Sequence, residues 1–367
     1  MEVKYLDLYK QFNDDELWGK VKDVFSTCQF IMGPQVEEFE AGFASLCKTP
    51  YALGVNSGTD ALFLALKALG IGSGDDVITA PNSFIATTGA IVAAGARPVF
   101  VDVGPDYNMD VNLIESAIAP QTKAILPVHL TGFPADMPAI MDIARKRNLY
   151  VVEDAAQAVS ASIHDKPVGS FGDVGCFSLH PLKNLNACGD AGALTTKSKE
   201  IYDKIKMLRN HGLKNRDEID CFGYNSRMDT IQAVVATHGL GKIEEITANR
   251  RENARLYDDA LAHLAPDLLF PEKKNGFNPV YHTYVVKVKN RAELRSHLEK
   301  NGVETKVHYP VPNHLQQPCA RLGHKKGDFP VCEQQSESIV SLPIHQSLSK
   351  DQIFYVSDLI KQFYNGR

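Results

Sequence analysis

YALGVNSGTDALFLALKALGIGSGDDVITA, residues 51–80, holds one complete strand–helix–strand unit. YALGV and DVITA are short β-rich runs, and TDALFLALKAL between them repeats apolar residues at helical spacing. The alternation continues to residue 200. Further strands are expected at RPVFVDV, KAILPVHL, LYVVEDA and GCFSL, with helices at SFIATTGAIVAAG, MDVNLIESAI and DMPAIMDIARKRN. Strands alternating with helices specify an α/β fold with a large, mostly parallel sheet. The strands are apolar almost throughout, as suits a sheet covered by helices on both faces.

The texture changes near residue 240. KIEEITANRRENARLYDDALAHLA, residues 242–265, has the pattern of one long amphipathic helix, suited to connecting two domains. Beyond it HTYVVKV and ETKVHYP are strand-like, RAELRSHLEKNG separates them as a helix, and KDQIFYVSDLIKQF closes the chain as another. The expected division is a large domain over 1–245 and a smaller C-terminal α/β domain over 246–367. A chain of 367 residues has the length of about two domains.

Composition narrows the function. The net charge of −5 asks for neither nucleic acid nor an anionic membrane. A phosphate-bearing ligand must then be held by local donors. Seven scattered cysteines form no C-x-x-C pair, so neither a disulfide framework nor a metal site is expected, and the thiols suit a cytoplasmic protein. The N-terminal stretch lacks the charge and apolar pattern of a signal peptide, and no apolar run reaches the ~18–20 residues that span a membrane.

Five segments hold candidates for chemistry. In SLHPLKNLNACGDAGA, residues 178–193, Lys183 follows the strand GCFSL on a turn. A loop lysine is ordinarily a solvated charge. Beside a sheet core, desolvation would lower its pKa and free the amine as a nucleophile. In LYVVEDAAQAVS, residues 149–160, Asp154 ends an apolar strand, where open α/β sheets bind ligands. It could cap a helix, or pair with a buried cationic ring nitrogen. In GVNSGTDALFLAL, Ser57, Gly58 and Thr59 open a helix, which makes either a plain cap or a phosphate cradle. Phe84 follows a strand end as a core aromatic or a ring-stacking one. Asn225 and Arg227, in GYNSRMDTIQA, have the look of surface loop.

Taken in order, VNSGTDAL, FIAT, VVEDAAQA, FSLHPLKNL, GDAGA, NHG and GYNSRMDTIQA resemble the DegT/DnrJ/EryC1/StrS family of pyridoxal-phosphate-dependent sugar aminotransferases. The resemblance runs from IMGPQVEEFE to VSLPIHQSLS. It implies the aspartate-aminotransferase-type fold, PLP fold type I, and a homodimer with shared active sites. Lys183 matches the lysine that forms the internal Schiff base, Asp154 the partner of the pyridinium, and Gln157 the group near the ring hydroxyl. Phe84 matches the stacking aromatic, and Gly58, Thr59 and Ser178 match the phosphate site. Asn225 matches a residue that reaches the phosphate from the second subunit, and His180 a frequent active-site position. Arg227, Tyr309 and His314 match loop positions facing the sugar nucleotide in some members.

The implied reaction moves an amino group from L-glutamate to a keto group of a nucleotide-linked deoxysugar. Lysine rather than histidine at position 183 favours transamination over dehydration. GDAG at 189–192, where C-4 enzymes often have GEGG, favours amination at C-3. The alternatives are a cyclitol aminotransferase or dehydratase on the same scaffold, or a non-catalytic PLP-binding regulator. A regulator would usually carry a DNA-binding module, and no basic helix-turn-helix is visible.

Overall fold

The computed structural model describes residues 1–366. Seven strands form the main sheet: β1 (Tyr51–Val55), β2 (Asp76–Thr79), β3 (Arg97–Phe100), β4 (Thr122–Ile125), β5 (Tyr150–Asp154), β6 (Val174–Ser178) and β7 (Gly192–Thr196). Their order across the sheet is β1-β7-β6-β5-β4-β2-β3. The pairs from β6 through β5, β4 and β2 to β3 are parallel. Strand β7 runs antiparallel to both β1 and β6.

Side chains alternate across a strand, so neighbouring apolar residues enter opposite layers. Val77, Ala124 and Val152 pack in one core with Leu62, Leu66 and Ile91. Their successors Ile78 and Ile125, and the preceding Val151, pack in another with Ile140 and Phe100. Burying each Val, Leu, Ile or Phe among them contributes about 1.5–3 kcal/mol of transfer free energy. Helices α1 (Gly58–Ala68) and α2 (Ile85–Ala94) follow β1 and β2. Their N-termini therefore lie at the carboxyl edge of the sheet.

Helix α3 (Ile243–Leu261) changes partners along its length. Ile243 and Ile246 join a core with Phe39 and Phe177. Ala254, Tyr257 and Leu261 join a second core with Val286 and Val340. That core backs an antiparallel sheet of β8 (Leu268–Leu269), β9 (Tyr284–Val288) and β10 (Ile339–Leu342). Val3, from the other end of the chain, also belongs to it: its N–H donates to Gly302 O at 2.8 Å, and its carbonyl accepts from Glu304 N at 3.0 Å.

ETKVHYP, expected as a strand, makes only a bridge between Lys306 and Ser341. Pro310 has no N–H to extend the ladder, and the chain turns toward the carboxyl edge of the large sheet. Residues 304–309 thereby come to face the site. Among the described residues no helix is long and apolar enough to cross a membrane.

Candidate active site

The carboxyl ends of β1, β2, β5 and β6 open into one cavity of about 640 Å³, whose far wall comes from residues 5–8, 282–283 and 304–309. Lys183, Asp154, His180, Gly58, Thr59, Phe84, Gln157, Ser178 and Tyr309 all line it. Those from the large sheet are gathered because they lie at or just beyond its strand ends, and Tyr309 arrives on the segment 304–309.

Asp154, the last residue of β5, is only 4% exposed. Thr87 Oγ1 donates to its Oδ2 at 2.7 Å and Ala156 N–H to its Oδ1 at 3.1 Å. Burial pushes the carboxyl pKa above its ordinary value; the Thr87 hydroxyl, the Ala156 N–H, Lys183 and His129 oppose that push. The group thus behaves as a buried anion short of positive charge.

Lys183 sits on the turn after β6, its N–H donating to His180 O at 2.8 Å. Desolvation lowers its ammonium pKa to about 8, against the upward pull of Asp154. His180 is exposed at the mouth, and its Nδ1 accepts from Leu182 N–H at 3.3 Å. On the far wall burial keeps His282 and His308 neutral, His308 at about 4, and the positive charge of Lys183 adds to both effects. His282 Nδ1 is buried without a hydrogen-bond partner among the described residues.

The first turn of α1 supplies the anion cradle. Helix N-termini leave their first N–H groups without intrahelical partners. The Ser57 hydroxyl takes that of Asp60 at 3.1 Å. The backbone here is packed tightly. A Cβ on Gly58 would come within 2.6 Å of Ser178 Cβ, and one on Gly192 within 2.3 Å of Ser57 O. These contacts hold the cradle against β6 and β7. Gln157 Oε1 accepts from Thr131 N–H at 2.6 Å, and its Nε2 donates to Tyr309 Oη at 3.2 Å. Phe84, 55% exposed, stands with its ring centroid 5.8 Å from that of Tyr309.

Three residues singled out in the sequence lie elsewhere. His314 is buried, with Nε2 at 3.0 Å from Glu333 and its ring against Phe329 at 4.7 Å. It is part of the packing beneath the loop and does not line the cavity of its own chain, where the sugar nucleotide was expected to meet it. Arg227 donates to Asn210 Oδ1 at 3.4 Å, and Asn225 is exposed; neither lines the cavity of its own chain. Conversely Thr87, Tyr5, His282 and His308 were not foreseen. Thr87 had a signal, one helical turn beyond Phe84 within FIAT. The others are set by how distant segments dock.

The model of the DegT/DnrJ/EryC1/StrS aminotransferase family matches residues 12–361. The chain is a DegT/DnrJ/EryC1/StrS aminotransferase. It is 41% identical to a UDP-N-acetyl-3-dehydro-α-D-glucosamine 3-aminotransferase of Acidithiobacillus ferrooxidans, over 96% of this chain and 95% of that one. A protein of Geobacillus stearothermophilus named as a pleiotropic regulatory protein is 39% identical, over 99% of both. Among solved structures, S. venezuelae DesV in complex with a ketimine intermediate superposes with a TM-score of 0.96 at 39% identity, covering 99% of this chain and 98% of that one.

Aminotransferases of this family use pyridoxal phosphate, and the cavity suits it. The cofactor carries a cationic ring nitrogen, an aldehyde and a phosphate. Asp154 is a buried carboxylate short of a cation, Lys183 a desolvated amine, and the turn at Gly58 and Thr59 an array of free donors. The state of Lys183 is directly testable. In protein stripped of cofactor, competitive acylation of Lys183 should titrate with a midpoint of about 8, against roughly 10.4 for an ordinary lysine. Asp154 raises that midpoint, so Asp154→Asn should move it lower. A midpoint near the ordinary value, or an upward shift in the variant, would contradict the electrostatics described.

Proposed function

We propose that this enzyme transfers the amino group of L-glutamate to the C-3 keto group of a nucleotide-linked deoxysugar, for cell-surface polysaccharide or glycosylated natural-product biosynthesis. The observation that carries the proposal is the pairing of Lys183 and Asp154 across one cavity at the strand ends. GDAG at 189–192 and the relative named as a 3-aminotransferase support the carbon position.

Bound pyridoxal phosphate supplies an electron sink through its protonated ring. The chain does the rest. The Asp154 carboxylate would keep positive charge on the ring nitrogen. Phe84 would stack on the ring, Gln157 would serve its hydroxyl, and Gly58, Thr59 and Ser178 would hold the phosphate. Lys183 Nζ, as a free amine, takes a proton from the donor's α-carbon and later returns one at the carbon that receives nitrogen. The lowered pKa of Lys183 makes far more of the neutral form available near neutral pH than an ordinary lysine has. His180 stands at the mouth beside this turn, and Tyr309 offers its ring to the sugar. 2-Oxoglutarate and the amino sugar are the products.

The division at residue 245 belongs to the same proposal, supported by the change of core partner along α3. So does assembly as a homodimer. Asn225 is exposed, and beside it Phe222 is 98% and Ile219 67% exposed, an apolar surface that suits a second copy. In a two-fold dimer one crossing loop completes both sites, bringing Asn225 to the phosphate and Arg227 to the sugar nucleotide of the neighbouring chain.

Three outcomes are expected. Borohydride should bleach the yellow holoenzyme and leave a phosphopyridoxyl mass on Lys183; a label on another lysine would overturn the assignment. On unreduced enzyme L-glutamate should shift the cofactor's absorbance, which a non-catalytic regulator would not allow. For the assembly, Lys183→Ala and Asn225→Asp are each expected to be inactive. Mixed dimers should regain up to about half of wild-type activity, because one site then carries neither lesion. Subunit exchange without recovery would place Asn225 in its own chain's site.

A further inference from the structure

Asn313 lies four positions beyond Tyr309, at the start of a short turn of helix, and is 3% exposed. Its backbone N–H donates to Pro81 O at 2.7 Å. Its side-chain amide donates to Ser83 Oγ at 3.1 Å and to Thr88 Oγ1 at 3.1 Å. All three acceptors belong to the segment that leads from β2 into α2. The same segment carries Phe84 and Thr87, the first facing the cavity and the second bonded to Asp154. One asparagine therefore ties the far wall of the cavity to the piece of chain that holds the near wall.

We infer that Asn313 is a positioning residue, a latch that sets the distance between Tyr309 and Phe84 and so the width of the slot in which substrate meets the cofactor. The inference rests on the reading of this cavity as the active site. The connection from latch to ring is stiff. Between Tyr309 and Asn313 run Pro310, Val311 and Pro312, and each proline has its φ locked. The next residue, His314, is anchored on Glu333. On the other side His308 stacks on Tyr5 with ring centroids 5.9 Å apart, and its Nδ1 meets Ser341 Oγ at 2.8 Å. Tyr309 is thus held from both flanks, while Gln157 holds its hydroxyl. The amide donors matter specifically. Ser83 Oγ already donates its proton to Phe84 O at 3.1 Å, so it can meet Asn313 only as an acceptor.

Asn313→Asp keeps the shape of the side chain and replaces the donating NH2 by oxygen. Asn313→Ala removes the group, and Ser83→Ala with Thr88→Val removes the acceptors instead. Each is tested as holoenzyme, with L-glutamate as the probe and the colour change of the bound cofactor as the readout. Misplacing a reacting group by about 1 Å can cost on the order of a hundredfold. Each variant should therefore lose about tenfold or more in efficiency while keeping its cofactor spectrum. In a Tyr309→Ala background the same changes should cost no more than about threefold, because coupled residues are not additive. A purely structural asparagine would give losses that multiply. Multiplying losses, or wild-type efficiency in Asn313→Asp beside an impaired Tyr309→Ala, would overturn the latch alone. Full efficiency in Tyr309→Ala would also overturn the latch, which acts through that ring, whereas no colour change with L-glutamate in the wild-type holoenzyme would overturn the reading of the site beneath it.

Discussion

A carboxylate buried with too little positive charge around it is costly, by several kcal/mol for an ion left unpaired. Asp154 is that group, and the arrangement of the site follows from it. Thr87 and Ala156 hold the two oxygens in place without neutralising them. Lys183 lies close enough to be drawn upward in pKa, yet desolvation dominates and keeps it near 8. The protein therefore builds a negative charge awaiting a cation beside an amine ready to react. A ligand that brings a cationic ring nitrogen relieves the first and meets the second, and by binding only the folded chain it stabilises the fold.

The residue next door shows how deliberate the placement is. Glu153 is equally buried but points to the other face of β5, as the two-residue period of a strand requires. It accepts from the backbone N–H groups of Gly169, Phe171 and Gly172 at 2.7–2.8 Å, and from His129 at 3.1 Å. His129 Nδ1 accepts from Ala135 N–H at 2.9 Å, which leaves Nε2 to donate. Burial works against the Glu153 anion, but these bonds outweigh it and hold the carboxyl below its usual pKa. One face of the strand end is satisfied and pins the loop leading into β6, and with it Ser178 and Lys183. The other face is left short of donors for function.

Local pattern made the large sheet legible. Tyr51–Val55 is YALGV residue for residue, and the other runs differ only at their ends. Strand ends in turn pointed to Asp154, Lys183 and the Gly58 turn, because side-chain chemistry there depends on the neighbouring few residues. Long-range docking was not legible. No local signal says that Val3 pairs with Val303, that Ile339–Leu342 forms a strand, or that β7 enters the sheet antiparallel. The loop after Tyr309 shows the limit most clearly. His314 has the chemistry of a ligand contact, but its bond to Glu333, like that of Asn313 to Thr88, depends on a partner far away in sequence or in another layer of the fold. Asn225 and Arg227 lie outside their own chain's cavity, and their roles belong to the proposed dimer.

The central claim is that Asp154 keeps positive charge on the cofactor's ring nitrogen. Nitrogen-15 NMR of holoenzyme loaded with ring-labelled pyridoxal phosphate measures that protonation directly. The account predicts a protonated ring nitrogen in the wild-type enzyme throughout the range from about pH 6 to pH 9, and loss of that proton in Asp154→Asn, where an amide replaces the charge. A neutral ring nitrogen in the wild type, or a protonated one that persists unchanged in Asp154→Asn, would contradict it.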